Sequence, residues 1–465
     1  MRDLSTIVKA YDVRGIVPDE LDADVARALG GAFADVIGSP GVPVVVGRDM
    51  RASSRPLAEA FAAGVTARGL DVVDIGLAST DGVYFASGRL DAPGAMFTAS
   101  HNPARYNGVK LCRRGAAPVG QDTGLGEIRA RAEALLAGVP TLLAGRTGEV
   151  TTRDVLPDYA AHLRTLVDVS AMRPLRVVVD AGNGMAGHTV PAVFAGLPLA
   201  VVALYFELDG TFPNHEPNPI DPANLADLAA AVIANEADLG LAFDGDADRC
   251  FVVDEAGGAV SPSALCALIA TRELARDPGA AVVHNLITSR AVAELVTEHG
   301  GTPVRTRVGH SFIKAVMAQT DAVFGGEHSG HFYFRDFWFA DSGMLAALHV
   351  LAALGDAPLG TRLSTLVAGF SRYAESGEIN STVRDPAAAL AAVRAEWAGR
   401  DGVRVDALDG LTFTGPDAWF NVRPSNTEPL LRLNVEALDA FRMAAVRDEV
   451  LAVIRGERGG SADVP

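Results

Sequence analysis

Hydrophobic positions along this chain fall into short dense runs divided by longer stretches of helical period. VPVVVGRDM (42–50), LDVVDIG (70–76) and GAMFTAS (94–100) have strand length, and PLAEAFAAGVTAR (56–68) between the first two reads as a helix. Such alternation predicts βαβ units and a largely parallel sheet. A Gly- and Thr-containing stretch over 137–152 reads as a linker. The pattern then restarts with LRVVVDAGNGMAG (175–187), LPLAVVALYF (197–206), LADLAAAVIANEA (225–237) and LGLAFDGDADR (239–249). A third pass holds the hairpin FVVDEAGGAVSP (251–262), two helical segments (263–275 and 289–300), and the strands GAAVVHNLITS (279–289) and DAVFGGEHSGH (321–331). The last hundred residues differ. Runs at 373–383, 403–415, 418–426 and 430–437 carry hairpin signals between two helices, which predicts a smaller α+β domain with an antiparallel sheet. The expected domains are 1–150, 151–252, 253–367 and 368–465.

A chain of 465 residues has room for three or four domains, and 49% apolar with 21% charged residues is a globular composition. A net charge of −17 disfavours nucleic acid and membrane surfaces as partners, since both are polyanionic. It leaves open a small anionic substrate, which responds to local cations. Cys112, Cys250 and Cys266 are too few and scattered for a disulfide framework or a CxxC metal site. With no apolar segment in MRDLSTIVKAYDVRG, a reduced, cytoplasmic protein without a signal peptide is expected. The apolar run at 344–354 is too short to cross a bilayer.

Four loops carry chemistry. Thr98-Ala99-Ser100-His101-Asn102-Pro103 follows a predicted strand and presents a hydroxyl in a turn that proline stops from becoming helix. Lys110 could ease ionisation of Ser100 or take its proton. Neighbouring side chains normally diverge, so His101 and Ser100 are not read as a Ser-His dyad, and no G-x-S-x-G elbow surrounds them. Asp244-Gly245-Asp246-Ala247-Asp248-Arg249 sets three carboxylates at alternating positions, a ligand set suited to Mg²⁺ and self-repelling without a cation. Gly326-Glu327-His328-Ser329-Gly330-His331 suits sugar hydroxyls or a plain Gly-rich turn; its histidines lack the frame of a zinc site. Arg423-Pro424-Ser425-Asn426-Thr427-Glu428-Pro429 offers a guanidinium, hydroxyls and amides as an anion cradle, or is a polar hairpin.

Smaller features are Tyr11-Asp12-Val13-Arg14-Gly15 and Gly309-His310-Ser311 with Lys314, the latter opening a helix where anions are favoured. Gly182, Gly184 and Gly187 have the G-x-G-x-x-G spacing of a dinucleotide site, with Glu207 about 20 residues on, yet the same glycines serve any tight turn packed on a helix. A Walker A lysine motif is absent from the sequence.

In this order, TASHNP, DGDADR, GEHSGH and RPSNTEP, with YDVRG, YNGVK and VGHSFIK, resemble the motifs of the α-D-phosphohexomutase superfamily over essentially the whole chain. The resemblance implies four domains around a central cleft, the first three of shared α/β topology with mixed, mainly parallel sheets. It implies a phosphomannomutase/phosphoglucomutase activity, with Ser100 carrying the transferable phosphoryl group and Ser100, Asp244, Asp246 and Asp248 holding Mg²⁺. Lys110, Arg14, His101, His310 and Arg249 would handle protons and charge there. Glu327 and Ser329, with His331 nearby, would hold the sugar; Arg423, Ser425, Asn426, Thr427 and Tyr11 would grip the distal phosphate. A hexose 1,6-bisphosphate would serve as intermediate and activator. The implied partner is a hexose phosphate, and the chain is expected to work as a monomer or dimer. GEHSGH resembles the GEMSGH form of enzymes acting on both mannose and glucose phosphates, departing from it at His328, and Asn426 stands where phosphoglucosamine relatives have Gly; mannose ranks first, glucose next and glucosamine third. A Ser/Mg-dependent sugar phosphatase, a dinucleotide enzyme and a silent sugar-phosphate binder are the alternatives.

Overall fold

Runs such as Val44-Val45-Val46 are apolar on both strand faces, so they demand cover on both sides, and helices supply it. The structure, a computed structural model, describes residues 2–139, 145–424 and 430–456. Four sheets succeed one another along the chain. The first runs Val13–Ile16, Tyr106–Cys112, Gly94–Phe97, Val44–Arg48, Val72–Leu77, Val150–Thr152. The second and third each have five strands, and the fourth, also five-stranded, is antiparallel throughout.

The first three sheets share one device. In each, a strand lies parallel to a neighbour, ends in a charged loop, and returns antiparallel beside itself. Gly94–Phe97 returns as Tyr106–Cys112, Leu239–Phe243 as Cys250–Asp254, and Phe324–Gly326 as Phe332–Phe334. The serine, aspartate and Glu-His-Ser loops are those three reversals, and they sit at strand carboxyl ends, where α/β sheets gather ligands. The stretch read as a linker is partly strand: Val150–Thr152 pairs parallel with Val72–Asp74 as the sheet edge. Three residues are too short to show alternation, and only an edge partner makes them a strand.

One hydrophobic core runs through the first three sheets, joining Val45 and Met96 to Val177 and Phe243 and on to Val282, Phe324 and Leu345. The fourth sheet has its own core, around Trp397, Phe413, Phe420 and Leu431. Among the described residues, no helix is long and apolar enough to cross a membrane.

In the first domain, helices Ala23–Val36 and Ser54–Thr66 touch through glycine. A Cβ at Gly30 would lie 2.1 Å from the Phe61 carbonyl oxygen, and one at Gly64 would lie 2.1 Å from that of Arg27. Neither carbonyl can retreat without moving a helix. Gly64→Val is expected to cost about 1–3 kcal/mol or more, read as a lowered thermal midpoint. Gly399→Ala, with nothing within 4 Å, should leave it in place.

Candidate active site

The serine loop is built around a buried arginine. Arg51, 2% exposed, donates to the carbonyls of Ser100 (2.9 Å), Asn102 (2.6 Å), Pro103 (2.9 Å) and Tyr106 (3.0 Å). Asp49, wholly buried at the end of strand Val44–Arg48, accepts from its Nε at 3.2 Å. Ser100 has φ 51°, a left-handed conformation that a non-glycine residue holds only under constraint, and Arg51 supplies that constraint. The turn also changes the expectation for His101. Side chains expected to diverge converge instead, and His101 Nδ1 lies 3.3 Å from Ser100 Oγ. Burial, then Arg249 and Arg14, push the imidazole pKa well down, so it is neutral. Arg249 Nη2 donates to both Nδ1 and Oγ, and the serine proton goes to Asp244 Oδ2 at 2.7 Å.

The aspartate loop faces the serine across a backbone contact. One oxygen from each of Asp244, Asp246 and Asp248 lies within 4.8 Å of the others, all three buried. Lys110 Nζ bridges Asp246 (2.7 Å) and Asp248 (2.5 Å), Thr80 donates to Asp246 (2.6 Å), and Arg249 Nε donates to Asp244 (2.9 Å). Burial pushes Asp244 up to about 7 against the pull of Arg249. Burial acts the same way on Asp246, but Lys110 and Thr80 outweigh it and hold that carboxyl below its usual range. Asp246 Oδ1 and Asp248 Oδ1 are buried and lack a hydrogen-bond partner among the described residues. Buried carboxylate oxygens left in this way, all hard donors, fit a small divalent cation.

The glycine-rich turn finds its explanation here. The Met185 amide donates to the Gly245 carbonyl at 2.9 Å, and a Cβ on Gly184 would meet that oxygen at 2.7 Å. Gly187 leaves a gap filled by the Phe206 carbonyl. The turn buttresses the aspartate loop, so its glycines serve close packing rather than a pyrophosphate.

Glu327 and Ser329 are joined at 2.7 Å, and Glu327 Oε1 accepts from the Gly309 amide at 3.3 Å. His331 Nδ1 is 3.1 Å from Asp341 Oδ2 and 3.8 Å from Asp248 Oδ1, which ties this loop to the aspartate loop. The Tyr11 hydroxyl lies 3.5 Å from where a Cβ on Gly309 would stand, which sets it against the third domain; burial, then Glu327, raises its pKa. Arg14 donates to Asn102 (2.5 Å) and Asp12 (2.6 Å), stiffening the serine loop. Arg423 is paired with Glu378 at 2.8 Å, which Arg432 shares at 3.0 Å. Ser425, Asn426 and Thr427 lie outside the described residues, and of His310 only the backbone is described, at the start of helix His310–Thr320.

His328 turns away from the Glu327–Ser329 pair to Ser263 (3.0 Å) and Glu375 (3.8 Å). It belongs to a polar joint between the third and fourth sheets, where Glu436 accepts from Ser289, Trp419 and the Arg290 amide. Chiefly through burial, Glu436 is pushed up to about 7. An acid raised from 4.5 contributes stability that is complete below pH 4.5 and lost as pH rises through about 7. Thermal midpoint should therefore fall from about pH 5 to about pH 8, and Glu436→Gln should flatten that slope. An unchanged slope would place the titrating group elsewhere.

Sequence reasoning missed Arg51, Asp49, Thr80 and Asp341. The RDMR at 48–51 was a signal, since a charged run leaving a buried strand needs partners, but nothing nearby in sequence named Ser100 as one.

Comparison with known proteins agrees with this geometry. The four phosphoglucomutase/phosphomannomutase family models, alpha/beta/alpha domains I, II and III and the C-terminal domain, match residues 5–136, 157–257, 261–373 and 378–453. A phosphomannomutase of Escherichia coli is 40% identical over 97% of this chain and 99% of its own length. Phosphohexose mutases of Xanthomonas campestris are 44% identical over 96% and 99%. The crystal structure of a phosphoglucomutase/phosphomannomutase family protein from Burkholderia thailandensis superposes with TM-score 0.87 at 34% identity, covering 98% of each chain. With all four domain models matched in order and the serine and aspartate loops in contact, the chain belongs to the phosphoglucomutase/phosphomannomutase family.

Proposed function

We propose that this phosphohexose mutase moves a phosphoryl group between O1 and O6 of mannose or glucose through a phosphorylated Ser100. The observation that carries the reading is Ser100 Oγ lying 2.7 Å from Asp244 and 2.9 Å from Arg249, beside three buried carboxylates. Phosphoryl transfer needs positioning and charge compensation more than covalent help. Mg²⁺, held by Asp244, Asp246 and Asp248, would offset the charge on the transferring group. Arg249 and Lys110 supply fixed cations around Oγ, and Arg14 steadies the loop through Asn102.

His331 is backed by Asp341 and stands beside the aspartate loop, a base held by an orienting carboxylate. As the Ser100 Oγ–P bond breaks and the sugar O–P bond forms, His331 takes the hydroxyl proton and Lys110 gives one to the departing Oγ. The bisphosphate formed turns end for end, and the return step reverses those bonds and both proton transfers. Glu327 and Ser329 hold sugar hydroxyls, while Arg423, Ser425, Asn426, Thr427 and Tyr11 hold the phosphate that is not reacting. The fourth sheet's separate core and polar joint support a last domain that closes over the substrate and keeps water out. Hexose 1,6-bisphosphate restores Ser100 when the phosphoryl group is lost. Three unpaired, buried thiols support a cytoplasmic setting.

The test is interconversion of the 1- and 6-phosphates of mannose, glucose and glucosamine, with Mg²⁺ and a trace of hexose 1,6-bisphosphate. The expected order is mannose, glucose, glucosamine, with activity lost on chelation and regained with Mg²⁺. Steady phosphate release without isomerisation would replace the mutase by a phosphatase.

A further inference from the structure

Lys314, on helix His310–Thr320, is 3% exposed, and its ammonium lies 2.6 Å from Asp341 Oδ1. The other oxygen of Asp341 faces His331 Nδ1 at 3.1 Å. A carboxylate only accepts, so Nδ1 carries the hydrogen and the lone pair of the neutral ring is on Nε2. The ammonium also lies 4.1 Å from the centre of the Tyr84 ring and 5.8 Å from that of Tyr333. Tyr84 comes from the first domain's helix Thr80–Leu90, whose first residue bonds Asp246. Lys314 is therefore held from several sides while it holds Asp341.

Burying an ammonium is costly, and a buried ion pair rarely stabilises a fold more than a well-packed apolar residue would. Stability alone is thus a poor reason for a lysine here. Asp248, His331 and Asp341 also converge closely enough to hold a cation, and Lys314 already brings positive charge to them. We propose that Lys314 is a positioning residue for proton transfer: it clamps Asp341 so that the His331 ring keeps the orientation and tautomer the reaction needs. This rests on the reading of His331 given above.

A double-mutant cycle tests it, using Lys314→Met, His331→Ala and the pair. Rates are normalised to the fraction of protein whose Ser100 accepts phosphate from hexose 1,6-bisphosphate, which removes misfolded enzyme. Lys314→Met is expected to lower kcat about 10–100-fold with KM changed less than about twofold, and to add almost nothing in the His331→Ala background. Should Lys314→Met fail to fold, Asp341→Asn takes its place in the same cycle with the same expectation. Losses that multiply, or a wild-type kcat in Lys314→Met, overturn the proposal. A wild-type kcat in His331→Ala instead defeats the underlying proton-transfer role.

Discussion

Ser100→Ala is expected to abolish isomerisation, lowering kcat by at least about 10⁴-fold. The loss is one of bonds rather than packing. Ser100 is 3% exposed, and alanine removes only Oγ, so the fold and the sugar contacts should survive. What is lost is the atom that would carry phosphate between the two ends of the sugar, together with its contacts to Asp244 and Arg249. No other serine has three carboxylates, Lys110 and Arg249 arranged around it among the described residues. The measurement is conversion of mannose 6-phosphate to mannose 1-phosphate, alongside isotopic labelling of the protein by hexose 1,6-bisphosphate. Both should vanish while hexose phosphate still binds. Residual turnover above about 1% would mean that another group takes the phosphoryl group, and the Ser100 pathway would fall.

Gly245→Ala should be nearly as harmful although it touches no charge. A Cβ there would lie 2.5 Å from the Ser100 carbonyl oxygen. That carbonyl cannot move aside, because Arg51 Nη2 holds it at 2.9 Å. The aspartate loop cannot withdraw either, since Met185 and Gly184 press on its other side. The extra methyl must therefore open the gap between Ser100 and its three carboxylates. A displacement of about 1 Å between reacting groups costs on the order of 10²-fold in rate. The expected result is a kcat lowered about 100-fold or more with a higher Mg²⁺ requirement, and a circular dichroism spectrum like wild type. Wild-type kcat in Gly245→Ala would show that the loop contact has slack and does not set the geometry.

Several elements were legible because their signal is local. Apolar runs and helical periods marked the strands and helices, since burial on one or both faces is written residue by residue. The serine, aspartate and Glu-His-Ser loops were legible for a similar reason: each is contiguous, and three aspartates in five residues repel unless a cation joins them. Val150–Thr152 was missed as a strand because its pairing partner is Val72–Asp74, far back in the chain. His101 was misjudged because its convergence on Ser100 depends on one left-handed residue.

The sequence by itself determined the order of the elements, the contrast between three mixed sheets and an antiparallel fourth, and the residues of each charged loop. Tertiary structure alone decided which of those loops meet. It brought Ser100 to Asp244, set Arg51 beneath one loop, and turned the Gly182–Gly187 segment into a brace for another. It also carried His328 off to the joint with the last domain, and ran Lys314 to His331 through Asp341. The reason is physical. Periodicity records whether a residue faces water or core. The partner of a buried charge is whichever opposite charge the packed core carries to within about 3 Å, and that depends on every sheet at once.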